Sequence, residues 1–432
     1  MIDAGVALVD ITPDRSLSMS GFAARTEPSA GVHDPLTVRA IAVGETALVA
    51  VDVVGLHEDL VQRVRQRCGL PEENVVVAAI HTHGAPVSMP GRLGAEADDS
   101  FLQAIEDGCV AAIAGARANR RPATLSVGMG ADPDVARNRR HAGGPLDRAL
   151  PILRLRAADG AIFAVLACYA CHPVVLGADN RLLTADYPHY VRKTIETACP
   201  GAVAVFVTGC AGDANTGHSA HASWTLAGSP ARSFETAERL GTRIGEAALA
   251  ADEFPLSGHV EARAADVLLD LTRLENEPLG DLADRWRREA RTAGGVGQTI
   301  MAAWVAWAER FAGTPPGRWT GRVGVLVWGG LPIIALPGEI FAETALHIRA
   351  ACGNRPAFVL AYANATPGYI PPASEFVHGG YEVEEAHRFI GMPGTFAPGS
   401  AEALAGAAQA LLATVGRAAD GTCPPLTPQP VA

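Results

Sequence analysis

His81-Thr82-His83 follows directly on the apolar run Val75-Val76-Val77-Ala78-Ala79-Ile80 and precedes Gly84-Ala85-Pro86, so two imidazoles stand where a buried strand gives way to a loop. Imidazole is the commonest metal-ligating side chain and exchanges its proton near neutral pH. Residues two apart on an extended chain point to one side, so both rings can serve one site; the alternative is a pair of loop histidines with ordinary hydrogen bonds. Four further runs end in polar residues. The run 161–170 leads into Cys171-His172-Pro173, and 202–207 leads into Gly209-Cys210-Ala211-Gly212-Asp213-Ala214-Asn215. Similarly, 331–336 leads into Pro337-Gly338-Glu339, and 357–361 leads to Asn364 and Gly368-Tyr369. Glu339 either caps a helix beginning near Ile340 or binds a cation. Two imidazoles and a carboxylate are a zinc-type donor set that leaves a coordination position for water, and zinc lowers the pKa of such a water to about 7.

The elements that must position these residues alternate along the chain. Short β-branched runs at 47–54, 74–80, 161–170, 202–207, 331–336 and 357–361 read as strands. Longer amphipathic or Ala-rich stretches at 59–68, 100–119, 187–198, 233–251, 278–311, 340–351 and 401–415 read as helices. Such alternation predicts a large mixed-sheet α/β domain with helices packed on the sheets, and sheets of this kind carry their sites beyond the carboxyl ends of the strands. One catalytic domain is expected over 1–420. Its segment 271–321, the most charged and carrying Trp286, Trp304, Trp307 and Trp319, is expected to be an inserted helical hairpin over the sheet, more core and cover than cofactor box, that could wall a cleft. Residues 421–432, with four prolines, are expected to form a loosely docked tail.

At 432 residues, 48% hydrophobic and 19% charged, the chain can bury a large core. A net charge of −11 has the wrong sign for a nucleic-acid groove or an anionic membrane surface. The uncharged stretches 74–91 and 160–178 reach spanning length but are interrupted by His, Pro or Gly, which argues against stable membrane insertion. The N-terminus shows no basic region followed by an apolar one, so a cytoplasmic location is expected. The cysteines at 68, 109, 168, 171, 199, 210, 352 and 423 fall mostly in apolar segments and read as reduced thiols.

An ordered series of motifs then narrows the reading. It begins with Ala4-Gly5-Val6-Ala7-Leu8-Val9-Asp10-Ile11-Thr12-Pro13, continues through Gly31-Val32-His33-Asp34-Pro35-Leu36 and Arg39-Ala40, and reaches His81-Thr82-His83 with Pro86 behind it. Asn138-Arg139, His172-Pro173, Gly212-Asp213, Pro337-Gly338-Glu339 and the C-terminal tyrosine segment follow. Over most of its length the chain resembles the neutral ceramidases and the shorter bacterial proteins that share their N-terminal zinc amidase domain. The resemblance implies that His81, His172, Glu339 and Tyr369 are zinc ligands, the tyrosine being a donor that spacing alone does not suggest. It further implies a proton-exchanging role for His83, a place near the substrate for Arg139, and a hydroxyl from Tyr381 on the scissile carbonyl.

Two departures qualify the resemblance. Where ceramidases continue the Gly-Asp motif into an active-site serine, Gly212-Asp213-Ala214 is followed by Asn215, which can hydrogen-bond a substrate or a water but cannot accept an acyl group. The chain is also expected to lack the ceramidases' C-terminal immunoglobulin-like domain, an expectation under which membrane-presented long-chain ceramide is a poor fit. The expected function is therefore Zn2+-dependent hydrolysis of a carbon–nitrogen amide bond in an N-acyl or other small amide, through water activated by the metal. A zinc esterase or lactonase, or a non-catalytic homologue that lost the serine, is the competing reading. The oligomeric state is open, a homo-oligomer included. Cys168-Tyr169-Ala170-Cys171-His172 matches the c-type haem pattern, but at the end of a buried strand it reads as structural thiols beside a ligand. Asp52 reads as a loop cap or as a carboxylate orienting a histidine, and Asp213 as support for the site. His33, His141, His189, His218 and His221 read as surface or loop histidines.

Overall fold

In the computed structural model, which describes residues 1–93, 96–353 and 355–415, the β-branched runs assemble into two main sheets. The first contains Ile2–Asp10 (β1), Thr37–Val43 (β2), Thr46–Val51 (β3), Val75–Ala79 (β4), Arg121–Gly130 (β5), Leu150–Ala157 (β6), Ile162–Tyr169 (β7) and Val203–Thr208 (β8). Their order is β8-β7-β6-β5-β1-β2-β3-β4, with Phe254–Leu256 beside β5. The outermost pairs, β8 with β7 and β3 with β4, are parallel and the pairs between them antiparallel. Strands β2, β3 and β4 are buried at every position, so their largely apolar sequences do not alternate; the charged exception, Arg39 of β2, is held by Glu196 and by Ala204 O at 2.6 Å. The second sheet contains Val260–Thr272 (β9), Arg318–Trp328 (β10), Leu331–Ala335 (β11) and Phe358–Leu360 (β12), ordered β12-β11-β10-β9, with Thr395–Phe396 beyond β9.

The two sheets meet in one apolar cluster that joins Ile41, Leu48, Val76 and Leu166 of the first to Leu326, Trp328, Ile333 and Phe358 of the second. The Trp328 indole N–H donates across it to Thr46 Oγ1 at 2.8 Å. Helices Glu58–Arg67 (α1) and Asp99–Ala118 (α2) pack in a second cluster with later helices, and Tyr187–Ala198 (α3) and Phe234–Leu249 (α4) cover β6 to β8 in a third. Asp98, Asp186 and Ser233 start α2, α3 and α4 by accepting hydrogen bonds from the backbone N–H groups of Phe101, Tyr187 and Thr236.

Leu279–Ala290 (α5) and Val296–Phe311 (α6) form the helical pair inserted between β9 and β10, closed on itself around Leu282, Trp286 and Trp307. The expected continuous helix 278–311 is thus two helices, divided where Gly294-Gly295 admits a backbone of positive φ. The flanks of 271–321 are strand, and Trp319 belongs to β10, packed on Phe396 at a ring separation of 5.7 Å. Ala342–Ala351 (α7), Ala386–Ile390 (α8) and Ser400–Thr414 (α9) complete the helices used below. The prolines of 421–432 lie outside the described residues. Among the described residues no helix is long and apolar enough to cross a membrane.

The feature that builds the site is the meeting of the first sheet's two edges. Ala79 N donates to Tyr362 O at 3.0 Å on the β4 side, and Ala361 N donates to Thr208 O at 3.2 Å on the β8 side. Thr208 Oγ1 closes the gap by donating to Ile80 O at 2.6 Å. Both edges therefore share the residues after β12 as a neighbour, and the sheet curls until the carboxyl ends of β4, β7, β8 and β12 stand together. Strand β3 stops at Val51, short of the expected 47–54, because Asp52 turns to accept bonds from Arg192, at 2.6 and 3.0 Å, and from Thr37.

Candidate metal centre

His81 Nε2 lies 3.2 Å and His172 Nε2 3.1 Å from the same oxygen, Oε2, of Glu339. All three side chains are buried, and their ligand atoms lie within 4.8 Å of one another. Glu339 comes from the second sheet's side, just after β11, and it does not cap a helix: α7 begins at Ala342, and Glu339 pairs with Tyr369 in a short parallel bridge. The Gly-Asp turn is pressed against it. A Cβ at Gly212 would lie 2.6 Å from Glu339 O, so only glycine allows that approach. Asp213 then accepts from Ala342 N at 2.8 Å and from Asn138 Nδ2 at 3.0 Å, tying the Arg139 segment to the start of α7.

The outer nitrogens of both imidazoles are fixed by the backbone: His81 Nδ1 contacts Val54 O, and His172 Nδ1 contacts Ala211 O. Neither is oriented by Asp52, which is spent on Arg192 and Thr37. A ring that donates from Nδ1 presents a lone pair at Nε2 when neutral. Two such lone pairs aimed at one carboxylate oxygen repel unless positive charge stands among them. Protonation of His172 is opposed by burial and then by Arg139, which bring its pKa down to about 4. A divalent cation is the charge that fits, and with two nitrogens and one carboxylate as donors the chemistry suits zinc.

His81 holds φ at 69°, in the left-handed region, so the histidine pair is not on an extended chain as the spacing suggested. The rings converge regardless, because the turn brings His83 Nε2 to 3.3 Å from His81 Nε2. Tyr362, at φ 55°, stacks on His81 with ring centres 4.1 Å apart. Two strained residues in contact cost roughly 1–3 kcal/mol each and persist only where the surroundings hold them. His83 leans on Phe22 at 4.8 Å and covers Gly21, where a Cβ would lie 2.4 Å from its Nδ1. Burial, reinforced by His81 and His172, keeps the His83 pKa well below its ordinary value, so its ring is neutral.

Tyr369 lies beside Glu339, its ring stacked over that of His172 at 6.4 Å, and its hydroxyl accepts from Arg139 Nη2 at 2.9 Å. Arg139 is held in turn by Glu382, Nε to Oε1 at 2.8 Å. Tyr381 is 5.9 Å from Tyr369 between ring centres and opens a wide helical turn, Tyr381–Glu385; burial raises its pKa, so the hydroxyl keeps its proton. Asn215 is buried nearby but turned to its own loop. Its Oδ1 accepts from Gly217 N and His218 N at 2.8 and 2.9 Å, and its Nδ2 donates to His218 O at 2.7 Å. His33 pairs with Asp34 and His141 with Glu375, away from the cluster. Cys168 and Cys171 are buried, with Sγ atoms near Val359 O and His172 O, and burial raises both thiols, that of Cys168 to about 12.

A cavity of about 350 Å³ is lined by Phe22, Trp224, Ile300, Tyr381 and Phe389 among others, and reaches toward the cluster through Phe22, packed on His83, and Tyr381, packed on Tyr369. Residues Thr299, Ile300 and Ala303 of α6 form one wall of this cavity. Tyr362, Gly21, Phe22 and Glu382 escaped the sequence reading. Their contribution depends on a positive φ, a close approach or a partner more than 200 residues away, none of which leaves a periodic trace.

Fold and site together define a mixed α/β protein with a buried His-His-Glu group, suited to a metal ion, at the joined carboxyl ends of its strands. The profile of the family described as neutral/alkaline non-lysosomal ceramidase, N-terminal, matches residues 3–223. The chain belongs to that family. It is 25% identical over 215 residues to the neutral ceramidase of Pseudomonas aeruginosa, which is 43% of this chain and 32% of that protein. It is 32% identical over 155 residues to neutral ceramidase 3 of Arabidopsis thaliana, 31% of this chain and 21% of that protein. These matches span about a third or less of the relatives' length. The fold extends further: the crystal structure of the Pseudomonas aeruginosa neutral ceramidase superposes with a TM-score of 0.72 at 20% identity, covering 97% of this chain and 76% of that one. A structure titled as ceramidase complexed with C2 gives 0.73 at 18% identity, covering 98% and 77%.

Proposed function

We propose that this chain is a zinc-dependent amidohydrolase that adds water across the carbon–nitrogen bond of an N-acyl amide, releasing a carboxylate and an amine. The observation that carries the proposal is the buried meeting of His81, His172 and Glu339, which an aromatic cavity approaches through Phe22, packed on His83, and Tyr381, packed on Tyr369. The names of the relatives, neutral ceramidases, support an amide as the bond cleaved.

His81, His172 and Glu339 would hold the metal, with Tyr369 as a fourth donor whose oxygen Arg139 steadies at 2.9 Å. When bound, zinc supplies a Lewis acid for the carbonyl and lowers the pKa of water. His83 is neutral and presents Nε2 to the cluster, so Nε2 takes up a proton and returns it to the leaving nitrogen. Tyr381 lines the cavity as a protonated hydroxyl and donates to the carbonyl oxygen as negative charge develops there. Asn215, engaged on its own loop, takes no covalent part, and the reaction needs no acyl-enzyme.

Elemental analysis combined with a panel of matched N-acyl amides and esters tests the proposal. The expected result is about one zinc per chain and amide turnover that a chelator removes and zinc restores. Amide turnover indifferent to chelation would refute it, and turnover confined to the esters would make the chain an esterase.

A further inference from the structure

The charge of the cavity wall is at odds with that of the whole molecule. The chain carries −11, yet the described residues lining the cavity include two guanidiniums, Arg25 and Arg388, and no carboxylate. Arg388 is balanced: Glu275 lies 3.1 Å away, and its charge rests over the rings of Trp286, Trp304 and Trp307 at 5.1, 4.8 and 5.8 Å. Arg25 is not. It is 7% exposed, and its hydrogen bonds go only to carbonyl oxygens, those of Asn180, Ser20 and His83.

Three of its five N–H groups are thereby used, and Nε has no partner. Among the described residues no carboxylate forms an ion pair with it. Burial lowers its pKa to about 10, which leaves it charged at neutral pH. Arg232 adds positive potential from nearby, since both guanidiniums lie over Phe22, at 5.0 Å for Arg25 and 5.6 Å for Arg232. Glu382, on the catalytic side, is paired with Arg139 and Arg140.

A buried cation without a counter-ion is costly unless a ligand brings the opposite charge. Arg25 Nη2 donates to His83 O at 2.6 Å, so that ligand charge would sit close to the residue assigned the proton transfers. The geometry points to a substrate that carries a carboxylate near its scissile amide, an N-acyl amino acid in chemical class, bound with the carboxylate on Arg25 and the acyl group among Phe22, Trp224, Ile300 and Phe389. This rests on the hydrolase reading for the reaction but not for the binding. A cavity of about 350 Å³ lies at the small end of ligand sites, which run from about 300 to 1,000 Å³, and suits an acyl group of modest size.

The test compares N-benzoylglycine with N-propylbenzamide, which has nearly the same shape without the charge. The zinc-loaded protein should favour the carboxylate by about tenfold or more in kcat/KM, the scale of one charge-assisted hydrogen bond. Arg25→Gln should bring the ratio near one, and Arg25→Lys should keep part of it. Equal kcat/KM for the two compounds, or preference for the neutral one, overturns the proposal and leaves the hydrolase reading standing. If neither compound is cleaved, the hydrolase reading fails for this class and equilibrium dialysis decides the anion site. Tighter retention of N-benzoylglycine than of N-propylbenzamide by the wild-type protein, lost in Arg25→Gln, supports it; equal retention, or none, overturns it. If circular dichroism shows Arg25→Gln unfolded, the wild-type and Arg25→Lys ratios carry the decision.

Discussion

Glu339 Oε2 sits between two imidazole nitrogens at 3.2 and 3.1 Å, and the roles proposed for the neighbouring side chains can be separated by what each variant keeps. His81→Ala and Glu339→Ala should lose the metal and turnover together, seen as zinc content falling well below one per chain. His83→Ala should retain the metal, because its ring would exchange protons rather than ligate, while kcat falls about 10²–10⁴-fold, the usual contribution of a positioned acid–base. Gly21→Ala probes the same ring from behind. Its backbone, at φ +98°, and the 2.4 Å approach to His83 Nδ1 would force that ring away, so turnover should drop with zinc content unchanged. Zinc-free but active His81→Ala would contradict the ligand set. At this scale the two histidines and the carboxylate were legible because each follows an apolar run. Tyr369 was reached through family resemblance alone, and Arg25 was not reached at all.

The strands and helices position these side chains through a few buried ion pairs. Arg192 and Asp52 are almost wholly buried and hold the end of β3 against α3. Arg192→Ala leaves Asp52 without its charge partner and should cost about 3–5 kcal/mol, measured by urea unfolding. Glu58, at the start of α1, is gripped by Arg92 at 2.7 and 2.8 Å. Burial works against its charge, but Arg92 prevails and holds the carboxyl pKa at about 2. Because the folded pKa lies below the unfolded value of about 4.3, this pair stabilises fully above that pH. Its contribution disappears as pH falls toward 2. Tm should therefore decline over that window, and Arg92→Ala should flatten the decline. Elements with continuous apolar sequence, such as β4 and β7, were visible beforehand. Strands β9 and β10 were not, because Arg263, Asp266, Arg318 and Arg322 give them the charge of a surface segment while the ladder supplies their order. The break between α5 and α6 was hidden by amphipathic spacing on both sides.

At the scale of the molecule, the candidate ligands come from both sheets. His81 and His172 follow strands of the first, and Glu339 follows a strand of the second, so a bound ion would tie one to the other. Any ligand confined to the native state stabilises by mass action, about 2.7 kcal/mol at a free concentration a hundredfold above its Kd. Chelation should accordingly lower Tm, and added zinc should restore it; a Tm unmoved by chelator would argue against a resident ion. The mixed α/β class could be read from the sequence because runs and helices alternate. The curling of the first sheet could not, since it depends on Thr208, Ile80 and the residues after β12 meeting across long stretches of chain. The segment matched by the family profile, 3–223, holds His81 and His172 but neither Glu339 nor Tyr369. Expressed as two polypeptides divided in the connection before β9, the chain would thus carry an incomplete chelate in each piece, and zinc uptake upon mixing would report noncovalent complementation of the fragments.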